Sequence, residues 1–306
     1  GKKPAEIAEA LTTGIRAIHV ESEMELSTAA GIAEQLGIVA PIGVRVNPNI
    51  NARTHPYIST GLHGHKFGVP RDRAVTILRA ASEHPWLRPV ALAAHVGSQI
   101  VDLEPFAEAA AFLVALAEDL RRAGIRLEYI DAGGGLGIDY LGAAPDTVDW
   151  VEAVGSLIAG AGYGLVFEPG RSIVGRAGAL LTQVVYTKQQ GNKQFVITDA
   201  GMTDLIRPTL YQAHHAIVPV VENGQAQQVV DVVGPICETS DFLARERPLP
   251  PVGPGDLLAV LHAGAYGYAM SSNYNGHLRP AEVLVDGDSF RIIRERQTRD
   301  VLIAGT

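Results

Sequence analysis

The stretch Leu127-Glu128-Tyr129-Ile130-Asp131-Ala132-Gly133-Gly134-Gly135-Leu136-Gly137 decides the fold. A short apolar run that ends in a carboxylate and a cluster of glycines reads as a strand delivering a backbone-rich loop. Glycines let main-chain N–H groups approach an anion with no side chain between, so one reading is a phosphate loop. The other is a tight strand-to-helix turn. The glycine offsets do not match the dinucleotide fingerprint, and the motif lies mid-chain.

Outward from this stretch the same beat repeats. Helices are expected over Pro4–Thr13, Glu23–Leu36, Arg71–His84, Pro105–Ala123 and Val148–Ala161, with Gly124 stopping the fourth. Strands are expected at Ala17–Val20, Ile42–Val46, Val90–His95, Leu127–Asp131 and Leu165–Phe167. Alternation of this kind means α/β, either a barrel or a doubly wound sheet. Each strand is followed by polar or Gly-rich residues: Glu21-Ser22, Asn47-Pro48, His95–Ser98, Gly133–Gly135 and Glu168–Arg171. Convergence at the strand ends favours a (β/α)₈ barrel, of which five strands are visible and three would precede Gly1. After about Ile173, short β-branched runs separated by Gly, Pro and Asn turns indicate a mostly antiparallel second domain. The expected division is 1–174 for the partial barrel and 175–306 for the β-rich domain.

With 47% hydrophobic and 19% charged residues, the chain has an ordinary globular composition. Its net charge of −8 argues against nucleic acid and gives no support for an anionic membrane surface. No apolar run is long enough for a bilayer. Gly1-Lys2-Lys3-Pro4 lacks the apolar segment of a signal peptide. One cysteine excludes an internal disulfide framework and fits a reducing, cytoplasmic setting.

That cysteine stands in Gly234-Pro235-Ile236-Cys237-Glu238-Thr239-Ser240-Asp241. A free cysteine is usually buried and inert. Behind a Gly-Pro bend, however, Cys237 and Glu238 offer a transferable proton and a charge for a cationic ligand group. Glu168-Pro169-Gly170-Arg171 pairs a carboxylate that can face a heterocyclic nitrogen with a guanidinium suited to carboxylate or phosphate, or else forms an internal ion pair. His95-Val96-Gly97-Ser98 places an imidazole able to stack on a flat ring beside a hydroxyl. Arg207 and Tyr211 form a cation–phenol clamp, and Tyr266 sets a phenol among small residues. His55, His63, His65, His214 and His215 show no ligand spacing, so no metal is expected.

In order and combination these motifs resemble the alanine-racemase-like pyridoxal phosphate decarboxylases, and among them the diaminopimelate branch. Arg45–Pro48, Thr54–Gly61 with Lys66–Gly68, His95–Gln99, Gly133–Gly137, Glu168–Arg171, Asp199–Met202, Arg207–Tyr211, Gly234–Asp241 and Gly264–Asn275 carry the resemblance. It implies decarboxylation of meso-2,6-diaminopimelate to L-lysine with pyridoxal 5'-phosphate. A decarboxylase of the same fold acting on another amino acid, or a lysine-less relative that only binds cofactor, is the alternative. The implied roles are Glu168 on the pyridine nitrogen and His95 against the ring. Ser98, Gly134, Gly135, Gly170 and Tyr266 would hold the cofactor phosphate, and Arg171 would also lie at the cofactor. Arg171, Arg207, Tyr211, Tyr266 and Glu238 would bind substrate, and Cys237 would return a proton. It also implies a homodimer in which Cys237 and Glu238 enter the partner's site. The family's imine-forming lysine sits on the first barrel strand. None of Lys2, Lys3, Lys66, Lys188 and Lys193 has that setting, so the 306 residues are expected to be a fragment, inactive alone.

Overall fold

The computed structural model describes residues 1–51, 66–222 and 224–304. Two compact units emerge, Gly1–Asp139 with Ala143–Ser172, and Tyr140–Gly142 with Ile173–Thr306.

In the first unit the order is α1 (Pro4–Thr13), β1 (Ile18–Val20), α2 (Glu23–Leu36), β2 (Ala40–Arg45), α3 (Arg71–Glu83), β3 (Leu87–Ala93), α4 (Glu104–Arg122), β4 (Tyr129–Asp131), α5 (Thr147–Gly160) and β5 (Gly164–Val166), with α6 (Arg171–Val174) at its end. Local chemistry sets the helix limits. Ser22 caps α2 by accepting from Glu25 N–H at 3.1 Å, and Gly37 ends it in the left-handed conformation at φ 68°. Along α4, Phe106, Ala109, Ala110, Leu113, Leu116, Ala117 and Leu120 recur at helical spacing and are buried.

The five strands are all parallel, in the sheet order β1-β2-β3-β4-β5. Sequential order without reversal is the arrangement of a barrel arc; a doubly wound sheet reverses at its switch point. Val90, Ala91 and Leu92 on β3 and all three residues of β4 are buried, as strands covered on both faces require. All five strand C-termini therefore lie at one end of the sheet, where the polar segments emerge.

The second unit holds β6 (Leu180–Gln190), β7 (Lys193–Thr198), α7 (Arg207–Tyr211), β8 (Ile217–Pro219), β9 (Gln228–Val233), β10 (Phe242–Leu249), β11 (Leu257–Val260), β12 (Glu282–Asp286), β13 (Ser289–Arg294) and α8 (Arg299–Ile303). Six strands form one sheet in the order β10-β9-β7-β6-β11-β8, antiparallel except for β7 against β9. Val184, Val196, Val230, Val232, Leu243, Leu258 and Val260 form its core. β12 and β13 pair as a separate hairpin. The sequence pattern does not show β10, because a bulge interrupts its alternation. Glu246 has φ 49°, and the register against β9 shifts between Ala244 and Arg247.

Candidate active site

At the C-terminal end of the parallel sheet, three turns meet main chain to main chain. Glu168 N–H donates to Gly133 O at 2.8 Å and Ile100 N–H to Gly135 O at 3.0 Å. A Cβ on Gly134 would lie 2.0 Å from Glu168 O, and one on Gly135, whose φ is 107°, would lie 2.2 Å from Gly97 O. The glycines are thus required by close backbone approach. The loop is not a tight strand-to-helix turn, since α5 begins only at Thr147.

This packing orients the side chains. Gly134 N–H donates to His95 Nδ1 at 3.2 Å, and the same ring nitrogen lies 3.7 Å from Glu168 Oε2. The His95 contact holds the Glu168 carboxyl below the usual carboxylate range against the opposing effect of burial. Asp131, at the end of β4, behaves oppositely. Burial, reinforced by the Glu168 charge, pushes it up to about 6, although its Oδ1 accepts from Gly133 N–H at 2.9 Å. Two carboxylates with values driven apart mark a site of proton and charge management. Glu168 and His95 line a cavity of about 190 Å³ together with Lys2, His19, Glu21 and Arg45. A larger cavity of about 400 Å³ in the second unit is lined by Gly264, Gly267 and Tyr268 of the Gly264–Asn275 segment but by none of the residues given a site role from the sequence. Next along the strand ends, the Arg171 guanidinium donates to Ser98 Oγ at 3.1 Å, and Arg171 is buried.

The second unit carries the remaining residues. Arg207 is buried, with one guanidinium nitrogen 2.7 Å from His215 Nε2. His215 Nδ1 stands 2.8 Å from Leu261 O, which only accepts. The ring proton is therefore on Nδ1, and Nε2 accepts from Arg207. Burial drives His215 down to about 4, which keeps it in this neutral form. The Arg207 guanidinium also lies 4.7 Å above the Tyr140 ring. Tyr211 ends α7 half-buried. Cys237 and Glu238 are exposed on the loop between β9 and β10. Hydrogen bonds from Ser240 and then Tyr274 lower the Glu238 carboxyl. Tyr266 has φ 65°, a conformation uncommon for a bulky residue and often retained at functional sites.

The structure thus gathers His95, Ser98, Gly134, Gly135, Glu168, Gly170 and Arg171 on one unit, and Arg207, Tyr211, Cys237, Glu238 and Tyr266 on the other. Sequence reading had given no site role to Lys2, His19, Asp131 or His215. Asp131, as the last residue of a strand before the glycines, offered the clearest signal. Lys2 Nζ reaches the first cavity but donates to His19 O at 2.7 Å and pairs with Glu25 at 2.9 Å, a structural use of the ammonium. His55, His63 and the Thr54–Gly61 motif lie outside the described residues, as does His65. Among the described residues no cluster of three or more His, Cys, Asp or Glu is placed to hold a metal. None of the described helices is long and apolar enough to cross a membrane.

The donor set fits pyridoxal phosphate. An ionised carboxylate in an open cavity suits a protonated ring nitrogen, the adjoining imidazole is held by a main-chain bond, and a hydroxyl–guanidinium pair stands by the glycine turns. Comparison with known proteins agrees. Residues 1–175 match the pyridoxal-dependent decarboxylase, pyridoxal binding domain. The diaminopimelate decarboxylase of Pseudomonas aeruginosa is 46% identical over 100% of this chain and 74% of its own length. That of Aquifex aeolicus is 45% identical over 99% of this chain and 73% of its own. The crystal structure of diaminopimelate decarboxylase from Helicobacter pylori complexed with L-lysine superposes with a TM-score of 0.95 at 43% identity, covering 99% of this chain and 76% of that one. The chain therefore spans about three quarters of these relatives, and with such identity along its whole length it belongs to the diaminopimelate decarboxylase family of pyridoxal-dependent decarboxylases.

Proposed function

We propose that the protein decarboxylates meso-2,6-diaminopimelate to L-lysine with pyridoxal 5'-phosphate. The observation that carries this reading is Glu168, kept ionised by His95 at the C-terminal end of a parallel sheet. When bound, the cofactor supplies an electron sink for the bond pair left as CO₂ departs. The protein's own groups do the rest. Glu168 holds a proton on the ring nitrogen and His95 packs against the ring. Ser98, the Gly134, Gly135 and Gly170 main chain and Tyr266 would hold the phosphate, with Arg171 also at the cofactor.

Arg171, Arg207, Tyr211 and Tyr266 serve the substrate. Arg207 is suited to a carboxylate because its guanidinium is already oriented by His215 and Tyr140. Glu238, with its carboxyl lowered by Ser240 and Tyr274, suits the distal ammonium. The Cys237 thiol delivers a proton from Sγ to the carbon that has lost CO₂. Exposure of Cys237 and Glu238 supports a homodimer in which each loop serves the partner's site. The single free thiol supports a cytoplasmic location.

The test is CO₂ release by the complete pyridoxal phosphate-loaded protein, with its imine-forming lysine, across a panel of amino acids. Release from meso-diaminopimelate with matching lysine is expected. Preferential turnover of lysine, ornithine or arginine would assign another decarboxylase, and cofactor binding without turnover of any member would assign a non-catalytic relative.

A further inference from the structure

We infer that Asp241 is the positioning residue of the Cys237–Glu238 loop, an inference that rests on the role proposed for that loop. Asp241 is 4% exposed and stands at the start of the loop's return into β10. Its Oδ1 accepts from Met202 N–H at 2.7 Å, and its Oδ2 from Ile236 N–H at 2.7 Å. Its own N–H donates to Glu238 O at 3.0 Å, and its carbonyl accepts from Gly234 N–H at 3.3 Å. One residue thereby ties both ends of a closed turn, with Cys237 and Glu238 between the anchored atoms.

The chain has given way around this carboxylate. A Cβ on Gly201 would lie 2.4 Å from Oδ1 and one on Gly234 would lie 2.5 Å from Oδ2. No cation is paired with Asp241 among the described residues, so both oxygens are engaged by main-chain donors alone. Burying a carboxylate is costly unless its oxygens are hydrogen-bonded. An amide of the same size accepts at one position only and would present N–H to N–H at the other. The carboxylate is therefore needed to join the Gly201–Met202 turn to the Ile236 end of the loop. Thr209 adds a second tie, its Oγ1 donating to Ser240 O at 2.6 Å, which links α7 to the same loop.

The test uses Asp241→Asn in the pyridoxal phosphate-loaded protein, read first by amide hydrogen exchange. Exchange in Gly234–Asp241 should rise about tenfold or more, as an orphaned buried donor implies, while β9 and β10 stay protected. kcat should fall and KM rise as Cys237 and Glu238 lose their placement, with cofactor affinity near wild type, and the same substitution should lower kcat no further in a Cys237→Ala background. Should Asp241→Asn unfold the unit, Gly201→Ala perturbs the same carboxylate by contact and should loosen the same segment. Unchanged loop exchange, an equal loss of turnover in the Cys237→Ala background, or domain-wide loss of protection in both variants would overturn the inference. If the loop loosens as expected but Cys237→Ala is itself fully active, the fault lies with the role given to Cys237.

Discussion

The two units build their candidate site residues into place by opposite means. In the first, the frame is main chain: Gly133, Gly134 and Gly135 fit against the carbonyls of Ala94, Glu168 and Gly97 with no room for a methyl group. In the second, the frame is side chain: His215 fixes Arg207, Asp241 fixes the Cys237 loop, and Ser240 with Tyr274 fixes Glu238. A frame of the first kind fails when atoms are added, and one of the second kind when atoms are removed.

The largest expected effect comes from adding a methyl group to the first frame. Gly134→Ala should destabilise the protein by about 3 kcal/mol or more, because backbone rather than a flexible side chain must move. It should also weaken pyridoxal phosphate binding by displacing Glu168. Urea denaturation and a cofactor titration check both, and wild-type values in the two would break the distinction.

Removal is tested in the second frame at His215. Its value near 4 in the folded chain lies below the ordinary 6.5. The stability it contributes is thus fully present above about pH 6.5, and is lost as pH falls through about 4, because the unfolded chain takes up the proton first. The window is worth on the order of 2 kcal/mol. In His215→Gln the gap to wild type should therefore narrow between pH 7 and pH 4.5 in urea denaturation. His215→Leu, which offers no acceptor, should also raise KM for the amino acid by removing the partner that orients the Arg207 guanidinium. A gap that stays constant with pH would show that His215 is not neutral and buried as described.

Asp131 gives the reverse sign. With its value raised to about 6, the ionised form is the disfavoured one, and its unfavourable contribution grows as pH rises from about 4 to about 6. Asn at this position retains an acceptor for Gly133 N–H. Asp131→Asn should stabilise the protein by about 1 kcal/mol at pH 7, allowing for solvent screening, and by little at pH 4. Stability measured at the two pH values decides, and a destabilised variant at pH 7 would contradict the assignment.

The smallest effect is a control on the glycines. Gly31 lies inside α2 with nothing within 4 Å of the place a Cβ would take, so Gly31→Ala should stabilise by roughly 0.5–1 kcal/mol through helix propensity alone. Thermal unfolding is sufficient to see it. Destabilisation here would mean that glycine matters in this unit for reasons other than contact.

The same contrast explains what could be read from the sequence. Parallel strands buried on both faces appear as apolar runs, and each is followed by its functional segment, so Glu168, His95 and Gly133–Gly137 announced themselves. Bounds differ by a few residues; β3, for example, begins at Leu87 rather than Val90. In the second unit the sequence pattern was interrupted where function needed it. The bulge at Glu246 hid β10, and α7 is too short for a helical period to show. Arg207, Tyr211 and Cys237 were picked out from local motifs, and their individual roles came from resemblance to a family. His215 and Asp241 act through hydrogen bonds to residues 8 and 39 positions away, and no local pattern records such pairings.

The division of labour is tested most directly by Cys237→Ala, with turnover of meso-diaminopimelate and pyridoxal phosphate affinity measured on the same preparation. Loss of the thiol proposed as proton donor should lower kcat by about 10²-fold or more, with cofactor affinity unchanged. Full turnover, or a parallel fall in cofactor affinity, would contradict it.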